Sequence, residues 1–310
     1  MLHRRAFLTY AAQLGAGTTL MSVAPGLLLA ASAAYGSILK RKIPATGELV
    51  PAIGMGTSGS FEISIDSAEY QALQEVLKRF FAAGATLIDT APTYGNAENL
   101  LGRLLAASDS RSKAFIATKL SRVKGREEGL AQFRGSLKSL QTDKVELLQV
   151  HNLGDWKTQI EVARQLKAEG KVKYVGVTHY VESAQAELAD VVQATKPDFL
   201  QINYSITHRG AEQRVLPLAM DLGVAVLANR NFDDGALFNQ VKGKALPGWA
   251  SEAGIASWAQ LFLKFVLSHE AVTAVIPATG KPDRQSDNLQ AGFGPLLTAA
   301  QRAEVIRLVG

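Results

Sequence analysis

From Val50 onward the chain alternates eight short apolar segments with longer amphipathic segments, and this alternation limits the possible folds more than any other feature. The short segments are rich in β-branched residues and continuously apolar, as is typical of strands covered on both faces. The longer segments carry apolar residues at helical spacing, and Gly84 and Gly170 end two of them. We predict strands at 52–57, 86–91, 114–120, 144–151, 171–179, 198–205, 224–232 and 273–280.

Eight strand–helix repeats in about 250 residues predict a closed (β/α)8 barrel, because an open doubly wound sheet of that length normally contains fewer strands. The GMG at 54–56 lacks the third glycine of a dinucleotide fingerprint and opens no helix. Ahead of the barrel, KRKIPATGELVP predicts a β-hairpin with Gly47 in its turn, closing the bottom of the barrel. We also predict an active-site loop at 233–254 and a C-terminal helix in LTAAQRAEVIRLV.

The N-terminus has the composition of a secretory signal. Arg4 and Arg5 precede an uncharged stretch that runs to Leu39, and Ala31-Ser32-Ala33 matches a small-residue cleavage site. Paired arginines indicate the twin-arginine route, so we predict a signal peptide at 1–33 that is cleaved after Ala33. The alternatives are a buried helix or an uncleaved membrane anchor, but glycines and a proline interrupt the apolar run.

These features predict one barrel domain at 34–310, exported to the periplasm or beyond, with the twin-arginine export machinery as a partner and no stable membrane insertion after cleavage. The chain has no cysteine, so it contains neither a disulfide nor a thiol nucleophile. Its net charge is +5, with basic residues scattered between acids, and we predict no nucleic-acid partner. The five histidines are dispersed, so we predict no metal site.

Four polar residues lie at or just beyond the ends of strands two to four. Asp89 ends the second strand, Tyr94 lies in the loop after it, Lys119 ends the third strand and His151 ends the fourth. Each alone has an ordinary structural explanation, such as capping, packing or hydrogen bonding to the backbone. Reactions in β/α barrels take place at the C-terminal ends of the strands, and adjacent strands lie about 5 Å apart. Together, therefore, the four residues predict one catalytic site.

The sequence around these residues resembles the aldo-keto reductases. The resemblance rests on LIDTAPTYGNAENLLGRLL (87–105), ATKL (117–120), LLQVH (147–151) and YVGVTHY (174–180), and it runs from about Lys42 to the C-terminus. It implies that Asp89, Tyr94, Lys119 and His151 form the family's catalytic tetrad. The implied reaction passes a hydride between a nicotinamide cofactor and a carbonyl compound.

The resemblance also implies a role for each tetrad residue. Tyr94 is the general acid, and a nearby Lys119 ammonium is expected to lower the tyrosine pKa from its usual value near 10. Asp89 pairs with Lys119 and keeps it charged and oriented. His151 is expected to donate a hydrogen bond to the substrate oxygen, although its tautomer does not follow from the sequence.

On the nicotinamide side the match is less complete. Gln201 corresponds to the residue that binds the carboxamide, and Thr178 and His179 occupy the positions of a usual Ser-Asn pair. Asn229 stands where the family commonly has a tyrosine that stacks on the nicotinamide. We expect Arg230, and next Phe232, to supply the stacking instead.

The segment IPATGKPDRQSDN (276–288) resembles the family's binding segment for the pyrophosphate and adenosine. Thr279 is expected to bind phosphate, and Lys281 and Arg284 a 2′-phosphate, which favours NADP(H), with NAD as the other possible cofactor. A merely solvated role for these two cations is the alternative. The remaining residues that we assign to the cofactor are Gly56, Thr57 and Asn288.

The sequence leaves the substrate side less defined. It runs only to Gly310, directly after the C-terminal helix, so we expect the long loop that narrows the pocket in many family members to be missing and the pocket to be open. Candidate walls of the pocket are Phe61, Trp156, Tyr204 and Trp249.

Three functions are compatible with a barrel of this kind. The first is an NADP(H)-dependent oxidoreductase that acts on an aldehyde, ketone or sugar. The second is a nicotinamide-binding regulatory or partner protein with weak or no catalysis, which Asn229 and His179 favour. The third is an unrelated barrel enzyme such as a sugar-phosphate isomerase, but it needs a catalytic carboxylate late in the barrel, and none ends a late strand.

Overall fold

The structure is a computed structural model that describes residues 36–309, so the predicted signal peptide at 1–33 lies outside the described residues. The chain begins with an antiparallel hairpin of two strands, β1 (Lys40–Lys42) and β2 (Leu49–Pro51). The strands that follow are β3 (Met55–Gly56), β4 (Leu87–Asp89), β5 (Phe115–Leu120), β6 (Val145–His151), β7 (Val172–His179), β8 (Phe199–Asn203), β9 (Ala225–Asn229) and β10 (Val272–Val275).

Strands β3 to β10 form one parallel sheet in which each strand pairs with the next along the chain. Two parallel bridges, Ile53 with Val275 and Gly56 with Ala278, join the last strand to the first and close the barrel. The predicted (β/α)8 barrel is therefore confirmed. At Gly56 the closure is tight, because a Cβ atom there would lie 2.9 Å from the carbonyl oxygen of Ile276.

The helices cover the outside of the barrel. They are α1 (Glu69–Ala82), α2 (Ala97–Ala107), α3 (Gly125–Ser139), α4 (Trp156–Ala168), α5 (Gln185–Thr195), α6 (Val215–Asp221), α7 (Ala236–Gln240), α8 (Trp258–Leu267), α9 (Pro282–Gln290) and the C-terminal α10 (Ala299–Val309). Among residues 36–309, no helix combines the length and the apolar composition that crossing a bilayer needs.

Several predicted strands were too long at their C-terminal ends. The strand predicted at 224–232 ends at Asn229, because Arg230 adopts a left-handed backbone with φ of 53° that an extended strand excludes. The strand predicted at 273–280 ends at Val275, shortly before Pro277, which has no N–H to pair. The predicted loop at 233–254 was wrong in part, because a short 3-10 turn and α7 occupy its first residues and bury Leu237.

The apolar core has two layers, one between the sheet and the helices and one inside the barrel. The hairpin contributes Ile43 and Val50 to the inner layer, so it closes the bottom of the barrel as predicted, with Gly47 in its turn at φ of 74°. The other inner residues are Leu87, Phe115, Ala117, Leu147, Tyr174, Phe199, Ala225, Leu227, Ala274 and Ile276. The hairpin therefore closes the interior of the barrel at its lower end.

Candidate active site

A cavity of about 660 Å³ opens at the C-terminal ends of the strands. It brings together most of the residues that the sequence singled out. Those that line it are Gly56, Thr57, Asp89, Tyr94, His151, Thr178, Gln201, Asn229, Arg230, Phe232 and Arg284. Five predicted site residues lie outside the lining, namely Lys119, His179, Thr279, Lys281 and Asn288.

Beneath the cavity, Lys119 and Asp89 form a buried ion pair. The Lys119 ammonium donates to Asp89 Oδ2 at 2.6 Å and to the carbonyl of Thr90 at 2.9 Å, and the two charged side chains are 0% and 4% exposed. The second carboxylate oxygen of Asp89 accepts from the amides of Gln201 at 2.7 Å and Gln149 at 3.2 Å. Burial alone lowers the pKa of Lys119, but pairing with Asp89 and the proximity of Tyr94 raise it above its usual value. The ammonium is therefore charged and fixed in position.

Tyr94 lies directly above this ion pair. The Lys119 ammonium is 4.9 Å from the centre of its ring, and the ring meets that of His151 edge to face at 5.9 Å. Burial raises the pKa of Tyr94, and this effect outweighs the opposing charge of Lys119. The expectation of a lowered pKa was wrong in direction, because it ignored the cost of placing a phenolate in a buried site. At neutral pH the hydroxyl therefore keeps its proton.

His151 ends β6 and is held by one hydrogen bond. Its Nδ1 lies 2.6 Å from the hydroxyl of Ser121, which follows β5 and is 1% exposed. Burial, with the positive charges of Lys119 and Arg122, lowers the pKa of His151 to about 3. The imidazole is therefore neutral throughout the physiological pH range, with one nitrogen a donor and the other an acceptor.

The side of the cavity that the sequence assigned to the nicotinamide is a network of amides. The parallel register aligns His151, Thr178 and Gln201 across three adjacent strands. Gln201 Oε1 accepts from Asn229 Nδ2 at 3.2 Å, whereas its amide nitrogen binds Asp89. The side-chain oxygens of Asn229 and Asn231 are buried and have no partner within residues 36–309. Two unpaired acceptors that line the cavity fit a ligand carrying a carboxamide, because its N–H groups can satisfy them.

Arg230 is already engaged at the cavity wall. Its guanidinium lies 5.2 Å from the centre of the Tyr180 ring and pairs with Asp234. His179 also stacks on Tyr180, at 6.0 Å, and its Nδ1 accepts from the backbone N–H of Val181 at 3.1 Å. In the structure the His179 ring contacts Tyr180 and does not line the cavity, and its assignment to the cofactor stays a prediction. The stacking role of Arg230 stays a prediction.

The segment 276–288 contains four residues that the sequence assigned to the cofactor. Of these four, only Arg284 lines the cavity. Thr279 is buried, and its hydroxyl accepts from the backbone N–H of Lys281 at 3.2 Å, so it stabilises its own turn. Lys281 precedes α9, and Asn288 is buried within that helix. An exposed arginine in the first turn of a helix can bind an anionic group together with the free N–H groups of that turn.

The predicted substrate walls were wrong. Phe61 and Tyr204 are fully buried, and the Tyr204 hydroxyl lies between Glu212 and Arg302. Trp249 donates its indole N–H to Glu304 on α10 at 2.9 Å, and Trp156 packs against the outer core. None of the four lines the cavity. Its exposed aromatic wall consists of Tyr180 and Phe238, with Phe232 beside them.

Sequence reasoning also missed three polar residues beside the tetrad, Ser121, Arg122 and Asn152. Each lies one or two residues after β5 or β6, whose ends carry Lys119 and His151. Their positions just after strand ends could have identified them, because the same criterion had identified the tetrad.

Comparison with known proteins agrees with this geometry. The model of the aldo/keto reductase family matches residues 52–307, and the chain belongs to that family. It is 30% identical over 197 residues to the aldo-keto reductase YhdN of Bacillus subtilis, a match that spans 59% of this chain and 58% of that relative's length. It is 28% identical to the methylglyoxal reductase YeaE of Escherichia coli, over 73% of this chain and 80% of YeaE.

Solved structures show the same fold. An aldo/keto reductase of Klebsiella pneumoniae in complex with NADP and acetate superposes with a TM-score of 0.72 at 26% identity, covering 85% of this chain and 93% of that one. A Klebsiella pneumoniae aldo-keto reductase in complex with NADPH gives a TM-score of 0.73 at 25% identity, covering 88% and 96%.

Proposed function

We propose that this protein is an NADP(H)-dependent oxidoreductase that interconverts carbonyl compounds and alcohols, acting on aldehydes, ketones or sugars. The observation that carries the proposal is the position of Tyr94, above the buried Lys119–Asp89 pair and beside a neutral His151, at the wall of a cavity. The Klebsiella relatives solved with NADP and NADPH support the choice of cofactor. Arg284 at the cavity edge supports the phosphorylated form, because a guanidinium binds phosphate well.

Reduction of a carbonyl needs a hydride at carbon and a proton at oxygen. When bound, NADPH supplies the hydride. Tyr94 donates the proton, and the ammonium of Lys119 stabilises the phenolate that remains. Asp89 keeps Lys119 charged, so the positive charge is in place before the reaction begins. The reverse reaction uses the same residues with Tyr94 as the base.

His151 is suited to orient the substrate oxygen, and Ser121 determines which nitrogen of its ring carries the hydrogen. The only hydrogen-bond partner of the Ser121 hydroxyl within residues 36–309 is His151 Nδ1. If Nδ1 carried the proton, the buried hydroxyl proton of Ser121 would have no acceptor, which is costly. The hydroxyl therefore donates to Nδ1, and Nε2 carries the hydrogen. This tautomer makes His151 a donor to the substrate oxygen, where negative charge develops.

Ser121→Ala tests this arrangement. Without the hydroxyl, Nδ1–H is no longer disfavoured, and we expect kcat to fall by about two- to fivefold, because the fraction of the protein with hydrogen on Nδ1 loses the donor to the substrate oxygen. Nitrogen-15 NMR of histidine-labelled protein measures the tautomer directly. The wild type should show His151 protonated at Nε2 and the variant a mixture. A wild-type signal for protonated Nδ1 would contradict the assignment.

A second candidate function is a nicotinamide-binding regulatory protein with slow catalysis. Asn229 favours it, because no ring occupies the position at which the family commonly stacks one on the nicotinamide. The two candidates differ in turnover and not in binding. Turnover of carbonyl compounds by the wild-type protein therefore separates them.

We also propose that the protein is exported by the twin-arginine route, on the basis of Arg4, Arg5 and the Ala31-Ser32-Ala33 site. That route carries folded proteins, so the barrel can bind its cofactor before it crosses the membrane. Mass spectrometry of the protein from the periplasmic fraction should find a chain that begins at Ala34, with NADP(H) bound. A full-length chain confined to the cytoplasm would contradict export, and an exported chain free of cofactor would contradict loading before transport.

A further inference from the structure

Two polar residues stand at the cavity wall on the side of Tyr94 and His151. Arg122 lies two residues after β5, and Asn152 one residue after β6; both line the cavity. The register pairs Leu120 with Val150, so Arg122 and Asn152 are each two residues beyond a paired position on adjacent strands. Adjacent strands are about 5 Å apart, so the two residues follow neighbouring strand ends at the same edge of the barrel.

The backbone at both positions is in the left-handed region. Arg122 has φ of 56° and Asn152 has φ of 52°, a conformation that is uncommon outside glycine. Here Gln132 bonds both the N–H and the carbonyl of the preceding residue, Ser121, at 2.7 and 2.9 Å. The turn that carries Arg122 is therefore held in place.

Neither side chain has a hydrogen-bond or ion-pair partner within the part of the chain that the structure describes. The Asn152 amide nitrogen has no partner and, unlike the buried side-chain oxygen, is accessible to a ligand; Arg122 is exposed and lines the cavity. The neighbouring carboxylates are engaged elsewhere, since Asp155 accepts from the N–H of Gly125 at 2.8 Å and Glu128 from the N–H of Lys124 at 2.9 Å. No carboxylate of the described chain neutralises Arg122.

We infer that Arg122 and Asn152 form a subsite for a carboxylate on the substrate, so that the enzyme prefers carbonyl compounds that carry a carboxylate over neutral ones. This inference rests on the proposed function, because it places the reacting carbonyl at Tyr94 and His151. A guanidinium offers parallel N–H donors that match the two oxygens of a carboxylate, and the Asn152 amide adds another donor. A single guanidinium suits a monoanion, whereas the phosphate of a sugar phosphate would call for more positive charge than this wall offers.

The electrostatic setting supports an anion at this position. After burial and Lys119, the charge of Arg122 is the next cause of the lowered pKa of His151, so the guanidinium acts on the catalytic histidine. Asp89, the carboxylate nearest to the reaction, is already neutralised by Lys119. A carboxylate on the substrate therefore meets, on this side of the cavity, the positive charge of Arg122, which no ion pair of residues 36–309 neutralises.

The test compares 4-carboxybenzaldehyde with its neutral methyl ester, and its readout is the ratio of the two kcat/KM values. We expect the wild type to favour the anionic aldehyde, and Arg122→Gln to lower the ratio by about 10- to 100-fold, mainly through KM. Arg122→Lys should recover part of the loss, because it restores the charge without the planar donors. Arg126→Gln is the matched control. Arg126 is an exposed arginine in the first turn of α3; it donates a hydrogen bond to Gln165 and does not line the cavity. An unchanged ratio in Arg122→Gln would overturn the subsite.

Benzoate binding separates this inference from the proposed function. Calorimetric titration of the protein in the presence of NADP should show benzoate bound at least about tenfold more weakly by Arg122→Gln than by the wild type. If no carbonyl compound is turned over but this difference is found, the proposed function fails and the anion subsite stands. Equal affinities in the two proteins, or no binding to either, would overturn the subsite whether or not the enzyme is active. Asn152→Ala provides a second variant, for which we expect a smaller loss in the same direction.

Discussion

Tyr94→Phe is expected to lower kcat by about 10²- to 10⁴-fold, which is the range that a positioned proton donor contributes. The phenylalanine ring can keep the edge-to-face contact with His151, so the fold and the cavity should persist. The dissociation constant of NADPH, measured by the quenching of protein fluorescence, should change by less than about threefold, because the hydroxyl contributes to catalysis and not to the fold.

The matched control is Tyr70→Phe, which removes a hydroxyl from α1, away from the cavity lining. We expect this variant to retain wild-type kcat and melting temperature. If Tyr94→Phe kept more than a tenth of the wild-type kcat, Tyr94 would not be the proton donor. Wild-type protein that binds NADPH but turns over no substrate would favour the regulatory candidate.

Lys119→Met should have the largest effect on stability. The substitution removes the ammonium but leaves Asp89, which is 4% exposed, as a buried charge with only amide donors from Gln201 and Gln149. Breaking a buried pair from one side typically lowers the free energy of unfolding by about 3–5 kcal/mol. Urea denaturation at pH 7, monitored by circular dichroism, measures the change in the free energy of unfolding. Turnover should also be lost, since nothing then stabilises the Tyr94 phenolate.

The double variant Asp89→Asn with Lys119→Met separates the buried charge from general damage to the core. Asparagine is neutral, and its side-chain oxygen can still accept hydrogen bonds from the neighbouring amides. We therefore expect the double variant to recover most of the lost stability while remaining inactive. If it were as unstable as Lys119→Met, packing and not the unpaired carboxylate would account for the loss.

The barrel was predictable because its signal is spread over the whole chain. Eight apolar segments at regular spacing define a repeat that survives errors in any one segment. The ends of the strands were less predictable, because single dihedral angles decide them. The left-handed backbone at Arg230 ends β9, and nothing in the residue type announces it.

The tetrad was predictable because topology alone brings strand ends together. Asp89 and Lys119 lie at adjacent strand ends, and the register brings their side chains within 2.6 Å. The pKa of Tyr94 was not predictable, because it depends on how deeply the ring is buried. The sequence shows which charges are near Tyr94 but not how much water reaches it.

The prediction of the aromatic residues that line the cavity failed for a similar reason. Trp249 and Tyr204 are as suitable in composition as Tyr180 and Phe238, but loop paths turn the first two toward Glu304 and Glu212. The contact between Ser121 and His151 was missed because a hydroxyl after a strand end has many possible partners. Only the side-chain geometry selects His151 Nδ1 at 2.6 Å.

The most direct test of the account is a fluorescence titration of the purified protein with NADPH and NADH, followed by turnover of a panel of aldehydes, ketones and sugars. We predict that NADPH binds at least about tenfold more tightly than NADH, because Arg284 can pair with the 2′-phosphate, and that at least one aldehyde is reduced. Failure to bind either cofactor would contradict the assignment of the cavity as a nicotinamide site while leaving the barrel unaffected.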